Sequence, residues 1–136
     1  MKSLFPDICS QHLPELKDFY TLLFDFEVIF EIDWYIQLKS PNDDNLQLAY
    51  VKHDHPSVPA PYQRKPQGVI ITIESDDIAG FHQKAQQLNY PFIQPLRDEV
   101  WGQRHFMLED PNNLLVDVVL MIEPEPEFLR ANGLLD

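Results

Sequence analysis

One carboxylate, Asp117, lies within the most apolar stretch near the end of the chain. Its neighbours are aliphatic on both sides, in the run LLVDVV at residues 114–119. An acid in such a run can serve as a metal ligand, as a counter-charge for a cationic ligand, or as a surface residue that points outward. Side chains alternate along a strand, so Asp117 shares a face with Leu115 and Val119. The alternation predicts that this face meets water or a polar cavity.

A second polar side chain, Gln47, has a similar position in an earlier apolar run. Alternation groups Gln47 with Asn45 and Ala49, away from the larger apolar residues of LQLAYVK at residues 46–52. In a pocket without metal, a carboxamide at this position would both donate and accept hydrogen bonds. Asp117 would then act as the counter-charge or as an acceptor.

Aromatic residues and one histidine complete the set of candidates. Trp34 and Trp101 could stack on a planar or cationic group, with about 0.5–2 kcal/mol per contact. His105 could act as a base if it faced a cavity near Asp117. Alternation leaves both faces of residues 101–109 open, one with Trp101, Gln103, His105 and Met107, the other with Gly102, Arg104, Phe106 and Leu108. The predicted ligand-binding residues are therefore Trp34, Gln47, Trp101, His105, Phe106 and Asp117.

Other kinds of catalytic chemistry have no clear basis in the sequence. No pattern is typical of a nucleophilic triad, a phosphate-binding loop or a zinc site with paired cysteines. Cys9 is the single cysteine, and no recognisable base accompanies it. His53 and His55 could chelate a metal only if their segment folded inward, and alternate residues of this kind are more typical of solvated surface. We predict no cofactor and leave enzymatic activity open.

Hydrophobic periodicity predicts the order β-α-β-β-β twice along the chain. In the first half a strand at 4–9 is followed by a helix at 14–24, for which Ser10 is a possible cap. Three strands follow at 26–32, 34–40 and 46–52. The second half repeats that order, with a helix at 76–89 capped by Ser75 or Asp76. Its strands are predicted at 68–74, 101–109 and 114–122, with a short extended piece at 91–99.

These elements predict one domain over residues 1–136, in the α+β class. Module one spans 3–52 and module two spans 68–121. Between them, residues 53–67 contain four prolines and are typical of a linker. Residues 122–136 form an acidic tail interrupted by proline, whose apolar residues could dock on a partner.

Charge limits the classes of partner. Lys and Arg number 10 against 22 Asp and Glu, a net charge of −12, and residues 1–60 and 61–136 each carry −6. Such a surface repels phosphate backbones, so we predict no nucleic-acid partner. No apolar run approaches the roughly 18 residues that span a bilayer, so we predict no membrane partner. The lone cysteine and the lack of a secretory pattern at residues 1–12 favour the cytoplasm.

The repeated modules resemble the vicinal oxygen chelate superfamily, which includes glyoxalase I, extradiol dioxygenases and bleomycin-resistance proteins. The resemblance covers residues 3–121 and rests on FYTLLFDFEVIFE, which begins within the first helix, and on WGQRHFMLEDPNNLLVDVV near the end. It implies a cup built from two half-barrels that encloses a ligand cavity. It also implies a homodimer.

The resemblance places the four metal-ligand positions of the superfamily at Phe5, Gln47, Val69 and Asp117. Divalent metals need oxygen, nitrogen or sulfur donors, and neither Phe5 nor Val69 supplies one. We therefore predict no metal site of the family type, with Gln47 and Asp117 as weak candidates only.

The metal-free branch of the superfamily, the bleomycin-resistance proteins, is the nearest in pattern. Pro6 lies thirteen residues before Phe19, as a proline does in that branch, where it helps members exchange their first strand in a dimer. The resemblance thus implies a metal-independent protein that sequesters a small cationic or aromatic molecule of antibiotic type. The alternatives are a metal-dependent lyase, isomerase or dioxygenase with displaced ligands, and a subunit that recognises another protein.

Overall fold

The computed structural model describes residues 1–135, which form two compact units. Unit 1 comprises residues 1–69 together with 110–114, and unit 2 comprises residues 70–109 together with those from 115 onward. Within this described part of the chain, no helix is long and apolar enough to cross a bilayer.

Unit 1 contains one α-helix and a four-stranded mixed sheet. Its elements are β1 (Asp7–Ser10), α1 (Leu13–Phe24), β2 (Glu27–Ile32), β3 (Tyr35–Lys39) and β4 (Gln47–Lys52). The strand order is β1-β4-β3-β2, with β1 parallel to β4 and the other neighbours antiparallel.

Unit 2 repeats this arrangement. Its elements are β5 (Ile70–Glu74), α2 (Ile78–Gln87), β6 (Phe92–Glu99), β7 (Gln103–Glu109) and β8 (Leu115–Met121), followed by α3 (Pro126–Ala131). The strand order is β5-β8-β7-β6, and β5 is parallel to β8. The predicted α+β class with two tandem β-α-β-β-β modules is confirmed.

The helices α1 and α2 each pack on one face of the sheet in their own unit. In unit 1 most apolar residues of α1 are buried, and the ring of Tyr20 stacks on Tyr50 of β4 with 5.9 Å between ring centroids. In unit 2, Ile78 and Ala85 of α2 are buried, and His82 contacts Phe106 of β7 edge-on at 5.2 Å. Strand alternation therefore directs the other set of side chains, which includes Gln47 and Asp117, to the face opposite the helix.

The helix caps differ from the prediction. The N-cap of α1 is His12, which makes no side-chain cap, while the Ser10 hydroxyl accepts a hydrogen bond from the backbone N–H of His12. The N-cap of α2 is Asp77, whose carboxylate accepts from the N–H of Gly80, and Ser75 accepts from the N–H of Asp77. Ser10 and Ser75 thus shape the turn before each helix rather than cap it.

The starts of two strands and the character of one predicted extended piece also differ from the prediction. Trp34 and Trp101 lie in turns, because β3 begins at Tyr35 and β7 at Gln103. The piece predicted as short and extended is the full strand β6, although it contains Pro95. A proline is tolerated there because β6 is an edge strand and its register with β7 shifts between Gln94 and Arg97.

The segment between the modules is folded into consecutive turns with a short 3₁₀ helix at Ala60–Tyr62. The amide of Gln63 donates to the carbonyl oxygen of Val58 at 2.9 Å, and the Cys9 thiol lies 3.5 Å from the carbonyl oxygen of Tyr62. The segment is therefore tied both to itself and to β1.

Candidate functional site

The candidate site of unit 2 centres on Asp117, on the sheet face opposite α2. The register of β7 with β8 pairs Met107 with Asp117 and His105 with Val119. This register places His105 on the same face as Asp117. Alternation within residues 101–109 alone does not determine which of their two faces lies beside Asp117, and the register does.

Asp117 and His105 form a buried hydrogen-bonded pair. Nδ1 of His105 lies 2.7 Å from Oδ1 of Asp117, and the two residues are 3% and 8% exposed. On the other side of the ring, Nε2 lies 3.0 Å from the amide nitrogen of Gln94 and 3.6 Å from Oε2 of Glu99. The imidazole is thus held at both nitrogens.

The partners of the two ring nitrogens determine which of them donates and which accepts. Nδ1–H donates to the Asp117 carboxylate, and Nε2 accepts from the amide of Gln94. Within residues 1–135, no protein group donates to the second carboxylate oxygen of Asp117. One oxygen of this acid therefore remains available to a ligand.

The aromatic candidates of unit 2 separate onto two faces. Trp101 is half exposed, its indole N–H donates to the Gln103 side chain at 2.8 Å, and its ring meets His105 at 6.5 Å between centroids. Phe106 lies on the opposite face and is fully buried against His82 and Phe92. The structure brings together Trp101, His105 and Asp117, and it places Phe106 in the core.

Gln47 belongs to a hydrogen-bonded chain on the face of unit 1 opposite α1. The Tyr35 hydroxyl donates to Gln37 at 2.9 Å, Gln37 donates to Oε1 of Gln47 at 2.6 Å, and Gln47 donates to the carbonyl oxygen of Asp44 at 2.7 Å. Burial, and then the charge of Asp7, raise the pKa of Tyr35, so its hydroxyl keeps the proton that it donates. Both ends of the Gln47 amide are engaged by the protein.

Trp34 is also engaged within unit 1. Its ring stacks on the imidazole of His55 with 3.6 Å between centroids and an angle of 5°. Nδ1 of His55 lies 2.8 Å from the Ser57 hydroxyl, whereas Nε2 of His53 lies 3.4 Å from the amide of Gln11. His53 and His55 therefore have separate partners and do not form a chelating pair.

The side chains at the positions implied for a superfamily metal do not fit one. Phe5 and Val69 have no donor atoms, and Gln47 would have to break two hydrogen bonds to bind a cation. Among residues 1–135, no group of three or more His, Cys, Asp or Glu side chains is placed to hold a metal ion.

Sequence reasoning missed Gln94 and Glu99, which complete the surroundings of His105. Both lie on β6, where Pro95 obscured the alternation of a strand. The register of β6 with β7 also shifts on both sides of Gln94, so side chains along β6 do not alternate regularly between its two faces. The register with β7 is the signal that locates them.

Comparisons with known proteins agree with this fold. A model of the glyoxalase/bleomycin resistance protein/dioxygenase superfamily matches residues 5–118. Among curated protein sequences, none matches the chain.

Three solved structures illustrate the range of similar proteins. The antibiotic-binding protein TnmS3 from Streptomyces sp. CB03234 is 17% identical, with a TM-score of 0.68 over 89% of this chain and 96% of that one. The bleomycin resistance determinant encoded on transposon Tn5 is 17% identical, with a TM-score of 0.65 over 89% and 98%. Lactoylglutathione lyase from Agrobacterium tumefaciens is 14% identical, with a TM-score of 0.67 over 86% and 91%. At these identities the likeness shows the fold alone.

Proposed function

The chain belongs to the glyoxalase/bleomycin resistance protein/dioxygenase superfamily, and from that membership we propose that it binds a small cationic or aromatic molecule without a metal. Similar folds include proteins described as antibiotic-binding and as a bleomycin resistance determinant. A binding role of this kind requires a shaped pocket and a few polar groups that orient the ligand.

The observation that carries the proposal is the half-satisfied carboxylate of Asp117. Its Oδ1 is fixed by His105, while its second oxygen has no donor from residues 1–135. Val119 and Met107 adjoin it on β8 and β7, and the half-exposed ring of Trp101 contacts His105. A carboxylate in weakly hydrated surroundings attracts a cation more strongly than one in water, and an adjacent indole also favours a cationic or planar group.

The surroundings of His105 favour binding over proton transfer. A general base needs a free nitrogen within hydrogen-bonding reach of the substrate. Nε2 of His105 is already bonded to Gln94, and the residue is 3% exposed. The imidazole therefore serves to orient Asp117.

Asp117→Asn is expected to weaken the binding of a cationic ligand about tenfold or more, which corresponds to about 1.4 kcal/mol. The substitution removes the charge but retains the size of the side chain and one acceptor oxygen. Bleomycin, a cationic glycopeptide, is a suitable probe, with its dissociation constant measured by isothermal titration calorimetry.

The matched control is Asp98→Asn, which removes the same charge from an exposed acid that pairs with Arg104 in the same unit. It should change the affinity less than twofold. Equal losses in both variants would show a general field effect, and an unchanged affinity in Asp117→Asn would reject the counter-charge role.

We further propose that the protein forms a homodimer through β2. This edge strand exposes apolar side chains along its length, namely Val28, Ile29, Phe30 and Ile32. An exposed apolar edge strand presents free backbone groups that another strand can pair with. A second copy of the chain supplies an equivalent strand with the same apolar character.

Sedimentation equilibrium is expected to give twice the chain mass of 16.0 kDa for the natural protein. Ile29→Glu should shift the mass to that of one chain, because it places a charge in the apolar contact. Leu22→Glu is the control, since Leu22 is similarly exposed but lies on α1. A single-chain mass for the natural protein would refute the dimer.

A further inference from the structure

A surface cavity of about 310 Å³ lies in unit 1, where the turns that follow β4 meet the residues between β1 and α1. Six side chains line it, and we call it the cationic pocket: Gln11, His12, His53, Gln63, Arg64 and Lys65. It shares no residue with the Asp117 site.

The charge of this pocket is opposite to that of the chain. The protein carries −12, yet the lining contains two permanent cations, two imidazoles, two carboxamides and no carboxylate. Two lysines and two arginines elsewhere, Lys17, Lys39, Arg97 and Arg104, form ion pairs with acids. The charge of this lining is therefore opposite in sign to the net charge of the protein.

The two cations of the pocket have no acidic partner among residues 1–135. The guanidinium of Arg64 makes no ion pair, and the ammonium of Lys65 donates to the neutral amide oxygen of Asn113. Nδ1 of His53 is buried without a hydrogen bond, while its Nε2 faces the Gln11 amide at 3.4 Å. A buried polar atom without a partner is uncommon and indicates a gap in the hydrogen bonding of the pocket wall.

The pocket is held in shape before any ligand arrives. Gln63 ties the turns together through the carbonyl oxygen of Val58, and the stacking of His55 on Trp34 fixes their beginning. The Lys65 bond to Asn113 fixes their end. Donors that are already in place lose less conformational entropy when they bind a ligand.

We propose that the cationic pocket binds a small oxyanion, in the form of a phosphate or carboxylate group on a metabolite. The planar fork of Arg64 can bind two oxygens of either group side by side, and Lys65 adds a point charge. The imidazoles and carboxamides supply further donors. Because the net charge of the protein repels anions at long range, binding here must come from local contacts.

The test is isothermal titration with two probes, sodium phosphate and sodium acetate, each at an ionic strength matched with sodium chloride. A single anionic group without the rest of a metabolite should bind weakly, with a dissociation constant on the order of 1 mM. If only phosphate binds saturably, the ligand bears a phosphate group. If only acetate binds saturably, the ligand bears a carboxylate group. Saturable binding of both would assign an oxyanion site without preference.

Arg64→Gln should lower the affinity for whichever anion binds by about tenfold or more, because it removes the guanidinium that can bind two oxygens. The control is Arg130→Gln, which removes the same charge from α3 and should change the affinity less than twofold. Arg64 is exposed, so its variant should fold, and circular dichroism checks this. The proposal is overturned if neither anion binds saturably, or if the two variants lose affinity equally.

Discussion

Asp110→Ala is expected to lower the free energy of unfolding by about 3–5 kcal/mol. Asp110 is 2% exposed and lies in the turn between β7 and β8. Its Oδ1 accepts hydrogen bonds from the backbone N–H groups of Asn112 and Leu114 at 2.8 and 3.1 Å. Its Oδ2 accepts from the Tyr20 hydroxyl at 2.9 Å. The substitution would remove the buried acceptor of all three donors, the two backbone N–H groups and the Tyr20 hydroxyl.

The protonation of the neighbouring phenols supports this role. Burial raises the pKa of Tyr20, and the nearby Tyr50 and the charge of Asp110 raise it further. The pKa of Tyr50 is raised in the same direction by burial and by Asp110. Tyr20 therefore keeps its proton at physiological pH and remains a donor. The buried acid of the turn thus joins residues 110–114 to α1 within unit 1.

Urea unfolding followed by circular dichroism measures the effect of Asp110→Ala. Tyr20→Phe removes one of the three donors and should cost about 1 kcal/mol. The double variant should lose less than the sum of the single losses, because both changes affect one contact. Asp98→Ala removes an exposed acid and should leave the unfolding midpoint unchanged. A loss below about 1 kcal/mol for Asp110→Ala would contradict the role.

The fold could be predicted because local patterns repeat. Apolar spacing in residues 14–24 marks a helix that the structure places at Leu13–Phe24, and alternation marks the central strands. The prediction of Ser75 or Asp76 as the cap of α2 is wrong, since three consecutive residues of Ser75–Asp77 can all cap a helix. Only the hydrogen bond to Gly80 distinguishes Asp77 from the others.

The candidate site could be predicted only in part, because it depends on contacts between strands. Alternation within β8 identified the face of Asp117, but the face of β7 depends on its register with β8. That register pairs His105 with Val119 and so directs its imidazole towards Asp117. No pattern within residues 101–109 contains this information.

The internal repeat also differs in detail between the units. Ser10 and Ser75 accept equivalent hydrogen bonds from the residue two positions later. The residues three positions before them, Asp7 and Thr72, pair with Ala49 and Asp117. By this register Ala49, and not Gln47, is the counterpart of Asp117. In unit 1 the acid of the pair is Asp7, on the first strand, β1. In unit 2 the acid of the pair is Asp117, on the last strand, β8.

Gly102→Ala is expected to lower the free energy of unfolding by about 2–4 kcal/mol. Gly102 follows Trp101 in the turn between β6 and β7, and its φ of +104° is rarely adopted by residues with a side chain. A Cβ at this position would lie 2.8 Å from the carbonyl oxygen of Ile122 and 2.9 Å from Cγ of Pro124. The substitution therefore combines backbone strain with a steric overlap.

The overlap is difficult to relieve because it involves backbone atoms. The N–H of Ile122 donates to the carbonyl oxygen of Gly102 at 2.9 Å, and the N–H of Glu125 donates to that of Val100 at 2.8 Å. These two bonds hold residues 122–125 against the turn. Moving the segment away from a new methyl group would stretch both.

Gly68→Ala separates the two contributions to this loss. Gly68 also has a positive φ, +71°, but a Cβ at this position would meet no heavy atom within 4 Å. Its substitution should cost about 1 kcal/mol from backbone strain alone. The excess loss in Gly102→Ala then measures the contact with residues 122–124 together with the added strain of its larger φ, and Trp101 fluorescence should change in that variant only. Equal losses of unfolding free energy in the two variants would mean that residues 122–124 do not constrain the turn. Glycine would then be needed after Trp101 only for its backbone conformation.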